Sequence, residues 1–150
     1  AAQFVETADE RMKDSVKGRD TQEREDVRQV YGVGARGIEA RGVAKALNDL
    51  EKTQKRRAKR VRSDAVDLAL LDLLSFYRDV LMVQWGADVS LINEEFATQL
   101  HAAAAGASPE ITMRRIEEVL RTRATLSGNA APRLVLESLF ATLRDPAVAR

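Results

Sequence analysis

The segment SDAVDLALLDLLSFYRDVLMVQW, which runs from Ser63 to Trp85, is the most apolar part of the chain and decides the fold that we predict. Its apolar side chains recur at the three- and four-residue spacing of one side of an α-helix: Val66, Leu70, Leu73, Leu74, Tyr77, Val80 and Leu81. A narrower polar strip holds Asp64, Asp67, Asp72, Ser75 and Asp79. A helix that is apolar over most of its circumference must be covered on several sides. We therefore predict an all-α fold, a helical bundle of about five to six helices with this segment in its one long central helix.

Both ends of the apolar segment carry signals for a helix boundary. Ser63 or Asp64 can cap its first turn, because a short side-chain oxygen accepts hydrogen bonds from the unpaired backbone N–H groups there. Gly86 can adopt a positive φ and end the helix after Trp85. The sequence upstream is also helical, so one long helix can extend from about Val43 into this segment. Its 23 residues include four Asp and one Arg spread along the segment, which argues against a membrane span.

Length and composition restrict the possible classes of protein. The chain has 150 residues, which fits one domain, and a formal net charge of +1, which gives no global attraction to nucleic acid. It contains no Cys, which excludes a disulfide scaffold and suits a reducing compartment. With no signal peptide in the sequence, we expect a cytoplasmic location. The chain starts in helix-like sequence without an initiator Met, so we expect a fragment of a longer protein.

The first 31 residues predict a helical hairpin. Residues 3–17 carry one thin apolar stripe and are followed by Gly18, which we expect to end the first helix. Thr21 can cap a second, short helix at about 22–31. Thin stripes bury little apolar surface, so we expect the hairpin of residues 1–31 to pack at the edge of the bundle.

A glycine-rich linker is predicted between the hairpin and the bundle. Residues 32–42 contain four glycines, and we expect the bundle to occupy residues 43–145. Gly32, Gly34 and Gly37 match the pattern G-x-G-x-x-G of dinucleotide-binding folds. That site requires a strand before the glycines, whereas the sequence before them is helical. We therefore interpret the segment as a linker.

Positive charge is concentrated before the apolar segment. Residues 31–62 carry ten basic and three acidic groups, a net charge of +7, whereas residues 1–30 have a net charge of −2. Seven basic residues lie within eleven positions: Lys52, Lys55, Arg56, Arg57, Lys59, Arg60 and Arg62. Such a run can neutralise phosphates and bind DNA without sequence preference. It can equally be a solvated helix face or pair with the acidic N-terminal hairpin, and no aromatic residue interleaves to stack on bases.

Three further helices are predicted after the central one, at about 93–105, 108–126 and 132–145. Asn93 and Ser108 can cap the first two, and a proline stands at the first helical position of the last two. The side chains expected on the buried sides include Phe96, Leu100, Ile111, Ile116, Val119, Leu120, Leu134, Leu136, Leu139 and Phe140, whereas Arg114, Arg115, Arg121 and Arg123 are expected mostly outward.

The sequence contains no catalytic constellation. It has no Cys and no phosphate loop of the form G-x-x-x-x-G-K-[ST]. Acid pairs such as Glu94 and Glu95 are adjacent in sequence, so their side chains point to different sides of a helix. His101, the only His, has no partner at metal-ligand spacing and is predicted to be structural or on the surface. We expect an interaction domain with no enzymatic activity, cofactor, metal or small-molecule substrate.

Three short segments in the second half of the chain follow a family pattern. The first is the turn Phe76-Tyr77-Arg78-Asp79, followed by Leu81 to Gly86, and the second is the helix start at Ser108-Pro109. The third contains Asn129, Pro132, Arg133, Leu134, Leu136 and Glu137, although Ala131 replaces the second Asn that usually precedes this proline. Together they resemble the C-terminal collar domain of clamp-loader subunits of bacterial DNA polymerase III. The basic helix and the stretch FVETADER also look like the delta-prime type found in high-GC Gram-positive bacteria.

The resemblance implies a role in assembly. In this family an all-α collar follows two AAA+ domains, and the collars of delta, delta-prime and three gamma/tau subunits form a ring that holds the pentameric clamp loader together. The loader places the sliding clamp on DNA during replication. This chain contains neither AAA+ domain, so contacts with ATP and with the clamp are expected outside it. The implied partners are the delta and gamma/tau subunits.

Eight residues are candidates for the core or for a subunit interface: Phe76, Tyr77, Arg78, Trp85, Asn129, Pro132, Arg133 and Phe140. Two alternatives to the delta-prime collar remain open. One is the collar of the gamma/tau subunit, and the other is a stand-alone helical DNA-binding domain that uses residues 52–62.

Overall fold

The computed structural model describes residues 2–31, 38–128 and 130–144, with side-chain positions for 16–30, 42–128 and 130–144. These residues form α1 (Ala2–Tyr31), α2 (Ile38–Trp85), α3 (Ala97–Ala105), α4 (Pro109–Leu126) and α5 (Pro132–Arg144), and a 3-10 turn at Glu94–Phe96. The described ranges contain no strand, and α2 is 48 residues long. The predicted all-α class with one long helix is therefore confirmed.

Helix α2 is longer at its N-terminus than the sequence indicated. It begins at Ile38, so the last five residues of the predicted linker are helical, and Gly42 lies inside the helix. A glycine costs only about 1 kcal/mol in a helix interior, and good helix formers surround this one. The remaining linker residues, 32–37, lie outside the described residues. At the other end Gly86 has a φ of +61° and stops the helix after Trp85, as predicted.

Helix α1 is continuous over 30 residues, so the predicted helical hairpin within residues 1–31 is wrong. Gly18 does not end a helix, because one glycine is not sufficient to break a run of helix formers. Thr21 does not act as a cap either. Its hydroxyl donates to the carbonyl of Lys17 at 2.8 Å, the back-bond of a Thr in a helix interior.

The contacts between residues divide the chain into two units, one on each side of the bond between Val66 and Asp67. The prediction of a single domain stays a prediction. The first unit contains α1 and the N-terminal part of α2. Hydrogen bonds join Arg24 to Gln54 and Asp20 to Arg57, so the residue numbers on the two helices run in opposite directions and the helices are antiparallel.

The second unit has an apolar core that every one of its α-helices supplies. The fully buried side chains include Leu70, Val80, Leu100, Val119, Leu136, Leu139 and Thr112. Each large apolar side chain buried in this way contributes about 1.5–3 kcal/mol. Helices α4 and α5 pack against each other. As predicted, Ser108 caps α4 by accepting from the N–H of Ile111 at 3.4 Å, with Pro109 at the first helical position.

Several side chains that we expected to be buried are exposed instead. Phe96 is 45% exposed, Leu120 is 48% exposed and Leu134 is 67% exposed. Leu120 follows the buried Val119, and successive residues in a helix lie roughly 100° apart. Leu134 stands two residues before the buried Leu136 and therefore on nearly the opposite side of α5. Each helix buries a narrower stripe than its composition suggested. No helix among the described residues is long and apolar enough to cross a membrane.

Candidate functional site

The segment from Trp85 to Phe96 exposes four large apolar side chains within twelve residues. Their exposed fractions are 59% for Trp85, 47% for Val89, 63% for Ile92 and 45% for Phe96. We call this stretch the 85–96 segment. Exposed apolar surface of this kind is typical of sites that bind another protein. The sequence identified Trp85 as a candidate interface residue but not Val89 or Ile92.

A buried carboxylate fixes the conformation of the 85–96 segment. Asp79 lies in α2 with 0% of its surface exposed, although the sequence placed it in a polar strip. Its Oδ2 accepts hydrogen bonds from the backbone N–H of Ile92 at 2.8 Å and of Asn93 at 2.7 Å. A buried carboxylate is stable only where such donors satisfy it. The segment is therefore attached to α2 through its own backbone.

Asn93 completes this contact with its side chain. Its Nδ2 donates to Asp79 Oδ2 at 2.8 Å and to the hydroxyl of Ser75 at 3.2 Å. The prediction that Asn93 caps the following helix is wrong, since its side chain makes no capping hydrogen bond with the 3-10 turn. A cap uses a side-chain oxygen as acceptor, whereas the amide of Asn93 acts here as a donor to Asp79.

Arg78 and Asp79 form an ion pair that extends to the same segment. Arg78 Nη1 lies 2.6 Å from Asp79 Oδ1 and donates to the carbonyl of Ser90 at 3.2 Å. Burial alone would raise the pKa of Asp79, but hydrogen bonds from Asn93, Arg78 and Ile92 outweigh it and hold this pKa below its ordinary value of 3.8. Asp79 is therefore ionised at neutral pH. Arg78, a predicted candidate residue, positions the 85–96 segment.

Two more polar contacts connect α2 with the helices around it. Gln84 Nε2 donates to the carbonyls of Ala104 at 3.3 Å and Ala107 at 2.8 Å, at the C-terminal end of α3. Arg123 of α4 binds both carboxylate oxygens of Asp67, at 2.7 and 2.9 Å. The hydrogen bond from Arg123 is the main cause of the lowered pKa of Asp67. The sequence had placed Arg123 outward, because a partner so distant in sequence gives no local signal.

Phe76 and Tyr77, two of the aromatic candidates of α2, are half-buried. The rings of Phe76 and Tyr77 meet edge to face, with centroids 5.9 Å apart, and the guanidinium of Arg115 lies 5.9 Å from the centroid of the Tyr77 ring. Burial raises the pKa of Tyr77, an effect that the charge of Arg115 partly offsets. Arg115 was expected outward, but its Nε is buried. These rings therefore belong to the packing between helices.

The remaining candidates lie on or near α5. Pro132 and Arg133 are exposed, and Arg133 Nε donates to Glu137 at 2.9 Å. Phe140 is half-buried. Asn129 lies outside the described residues. Pro132 and Arg133 are therefore open to solvent, whereas Phe140 is partly covered.

The basic run of α2 is divided between two sides of the helix. Arg57 points toward α1, where it pairs with Asp20 at 3.2 Å and with Glu23 at 3.0 Å. Gln54 lies beside it, 3% exposed, accepts from Arg24 Nε at 3.1 Å and donates to the carbonyl of Asp20 at 3.0 Å. The hydrogen bond with Arg57 is the main cause of the lowered pKa of Glu23. Among residues 16–30 of α1, whose side chains are described, Asp20 and Glu23 thus pair with Arg57 of the basic run.

Five basic residues remain on the outer side of α2, and we call them the basic face: Lys52, Lys55, Arg56, Lys59 and Arg60. All five are exposed. Lys52 pairs with Asp49 at 3.4 Å and Lys55 with Glu51 at 2.7 Å, both within one turn of the helix. No ion pair between described residues involves the other three. Arg62 is also exposed.

The described residues contain no group of three or more His, Cys, Asp or Glu side chains that could hold a metal ion. His101, at the middle of α3, is exposed. No protein-family model, curated protein or solved structure matches the chain. Its function is therefore argued from the residues and contacts described above.

Proposed function

We propose that this chain is the collar domain of a clamp-loader subunit of the delta-prime type. It holds the pentameric loader together by packing against the collars of delta and gamma/tau subunits, so that the sliding clamp can be loaded onto DNA. The proposal is supported by the family resemblance of the three sequence segments. The observation that carries it is the exposed apolar 85–96 segment, which Asp79 holds in a defined conformation.

A fixed conformation favours binding. Ordering a loop when two proteins associate reduces the affinity, so a segment that is already ordered binds more tightly. Large aromatic residues supply much of the energy at protein interfaces, and Trp85 is the only Trp of the chain. In a monomer the exposure of Trp85, Val89 and Ile92 to water has no evident benefit, whereas a partner subunit would cover these side chains.

A subunit within a ring also needs a second surface, because each member contacts two neighbours. Helix α4 exposes Met113 by 39% and Leu120 by 48%. These residues are seven positions apart and therefore lie on the same side of the helix. Leu134 of α5 is 67% exposed. We assign the second contact of the ring to these residues.

Mixing the chain with purified collar domains of delta and gamma/tau subunits tests the proposal. We expect size-exclusion chromatography with light scattering to show a complex that contains this chain, at concentrations of about 10 μM. Absence of any complex at that concentration would count against an assembly role. The phosphate loop of the AAA+ region would separate delta-prime from gamma/tau, because in this family gamma/tau carries an intact loop and delta-prime typically a degenerate one.

A further inference from the structure

We propose that the basic face of α2 binds the phosphate backbone of double-stranded DNA without sequence preference. The proposal concerns the first unit of the chain and is independent of assembly through the 85–96 segment. It rests on three observations: the side of the helix that the basic residues occupy, the weak surface pairs that are the only ion pairs of these residues within the described part of the chain, and the lack of features in residues 42–66 that other partners would need.

The five basic residues share one side of α2. At about 100° per residue, Lys52, Lys55, Arg56, Lys59 and Arg60 fall within an arc of roughly 140°. Gln54 lies on the opposite side, where it is hydrogen-bonded to α1. Because Gln54 faces α1, the basic face lies on the side of α2 that points away from α1.

The length of the basic face suits a duplex. At about 1.5 Å per residue, its first and last residues lie about 12 Å apart along the helix. Double-stranded DNA carries one negative charge per about 1.7 Å of its axis, or about seven over the same length. Five cations on one side of a helix are therefore enough to neutralise most of the charge of the duplex over that length.

Ion pairs between described residues leave most of this charge uncompensated. Asp20 and Glu23 of α1 are paired with Arg57 on the other side of α2. The partners of Lys52 and Lys55 are exposed residues on α2 itself, and such surface pairs are weak and screened by salt. A phosphate group can therefore replace Asp49 and Glu51 as the partners of Lys52 and Lys55 with little loss of free energy.

Three other kinds of partner fit the basic face less well. Single-stranded nucleic acid is held by aromatic stacking, and residues 42–66 contain no aromatic side chain. A membrane-surface helix needs an apolar side that enters the lipid, whereas the other side of α2 carries Gln54 and Arg57 bonded to α1. An acidic protein would need an apolar anchor, and no exposed side chain between 42 and 66 is large and apolar.

The test measures binding of the 150-residue chain to a fluorescently labelled duplex of about 30 base pairs, by anisotropy between about 50 and 200 mM salt. We expect the logarithm of the binding constant to fall linearly with the logarithm of salt concentration. Replacing Arg56, Lys59 and Arg60 together by Gln should weaken binding at least about tenfold at 50 mM salt. The slope of this salt dependence should become shallower by about 2.7, since three phosphate contacts are lost and each contributes about 0.9.

A control variant separates position from net charge. Arg114, Arg121 and Arg144 are exposed on α4 and α5, and replacing all three by Gln removes the same charge. We expect this control to keep its affinity within about twofold, because the contacts of the basic face are intact. If the control lost as much affinity for the duplex as the Arg56/Lys59/Arg60 variant, the proposal would be overturned.

Two further measurements can overturn it without any variant. One is absence of duplex binding by the unmodified chain at about 50 mM salt, or binding that does not depend on salt. The other is tighter binding to vesicles with about 30% phosphatidylserine than to the duplex, which would identify a membrane as the partner. Unchanged helical content by circular dichroism shows that the variants remain folded.

Discussion

Asn93 donates both its backbone N–H and its side-chain amide to the buried carboxylate of Asp79, at 2.7 and 2.8 Å. One acidic residue in a long helix thus determines the conformation of a segment fourteen positions later in the chain. The exposed side chains of Trp85 and Ile92 lie between Asp79 and Asn93 in sequence. Folding and the proposed assembly are therefore linked through Asp79.

Removing the carboxylate of Asp79 should destabilise the chain strongly. In Asp79→Ala the N–H groups of Ile92 and Asn93 lose their acceptor, and a cavity is left in α2. Unsatisfied buried donors cost about 1–3 kcal/mol each, so we expect the free energy of unfolding to fall by about 2–4 kcal/mol. Urea denaturation followed by circular dichroism measures this change.

Asp72→Ala is the matched control, because Asp72 lies in the same helix and is exposed. We expect it to change the free energy of unfolding by no more than about 0.5 kcal/mol. If the two variants lost the same stability, the contact of Asp79 with Asn93 would have no special importance for folding.

The contribution of Asp79 should disappear in acid. Its pKa in the folded chain lies below the ordinary value of 3.8, so the fold favours the ionised form. The stabilisation is complete above that ordinary pKa and is lost as the pH falls through the lower pKa of the folded state. We therefore expect the stability difference between the unmodified chain and Asp79→Asn to be constant from about pH 7 to 5 and to shrink below about pH 4.

Urea midpoints over a pH series measure this difference. Other carboxylates with lowered pKa values, such as Asp67, are present in both proteins, so their contributions cancel. A difference that grew on acidification would have the wrong sign for a lowered pKa of Asp79.

Two leucines in α2 should respond very differently to the same substitution. Leu70 is 1% exposed and Leu68 is 61% exposed, only two residues away. We expect Leu70→Ala to cost about 2–5 kcal/mol of stability, because it leaves a cavity in the core. Leu68→Ala should cost less than about 0.5 kcal/mol. Comparable thermal denaturation of both variants would mean that the buried side of α2 is assigned wrongly.

The pairing of α1 with α2 should depend on Gln54. Its amide is buried between the two helices and bonded to Arg24 and Asp20, so Gln54→Ala removes these bonds and leaves a gap. We expect the opening free energy of backbone amides in α1, measured by hydrogen exchange, to fall by about 1–2 kcal/mol. Gln22→Ala removes an exposed hydrogen bond to Asp26 within α1 and serves as the control. Equal protection of α1 in both variants would contradict a role for Gln54 in holding the helices together.

Local signals in the sequence predicted most helix boundaries correctly. Ser108 with Pro109 marked the start of α4, and Gly86 marked the end of α2, because these residues determine the backbone around them. Gly18 was misleading, since its small penalty is overcome by the helix on both sides. Asn93 has all the features of a cap, but Asp79 competes for its amide. That competition comes from a residue distant in sequence, which local patterns do not show.

The candidate site could be predicted only in part. The sequence identified Trp85 and the basic run, and all of these residues except Arg57 are exposed. It did not separate Arg57 from its neighbours, because that requires knowing which side of α2 faces α1. Val89 and Ile92 were missed because they lie between helices and follow no helical spacing. Large apolar residues in such a short connection are the signal that could have revealed them.

Assembly through the 85–96 segment is tested most directly by measuring the affinity of the chain for the delta and gamma/tau collars with and without its apolar side chains. We expect Trp85→Ser combined with Ile92→Ser to weaken the complex at least about 30-fold, or about 2 kcal/mol, without loss of helical content. Val30→Ser combined with Leu68→Ser removes exposed apolar side chains elsewhere and should leave the affinity unchanged. Equal affinity of the unmodified chain and the Trp85/Ile92 variant would contradict assembly through this segment.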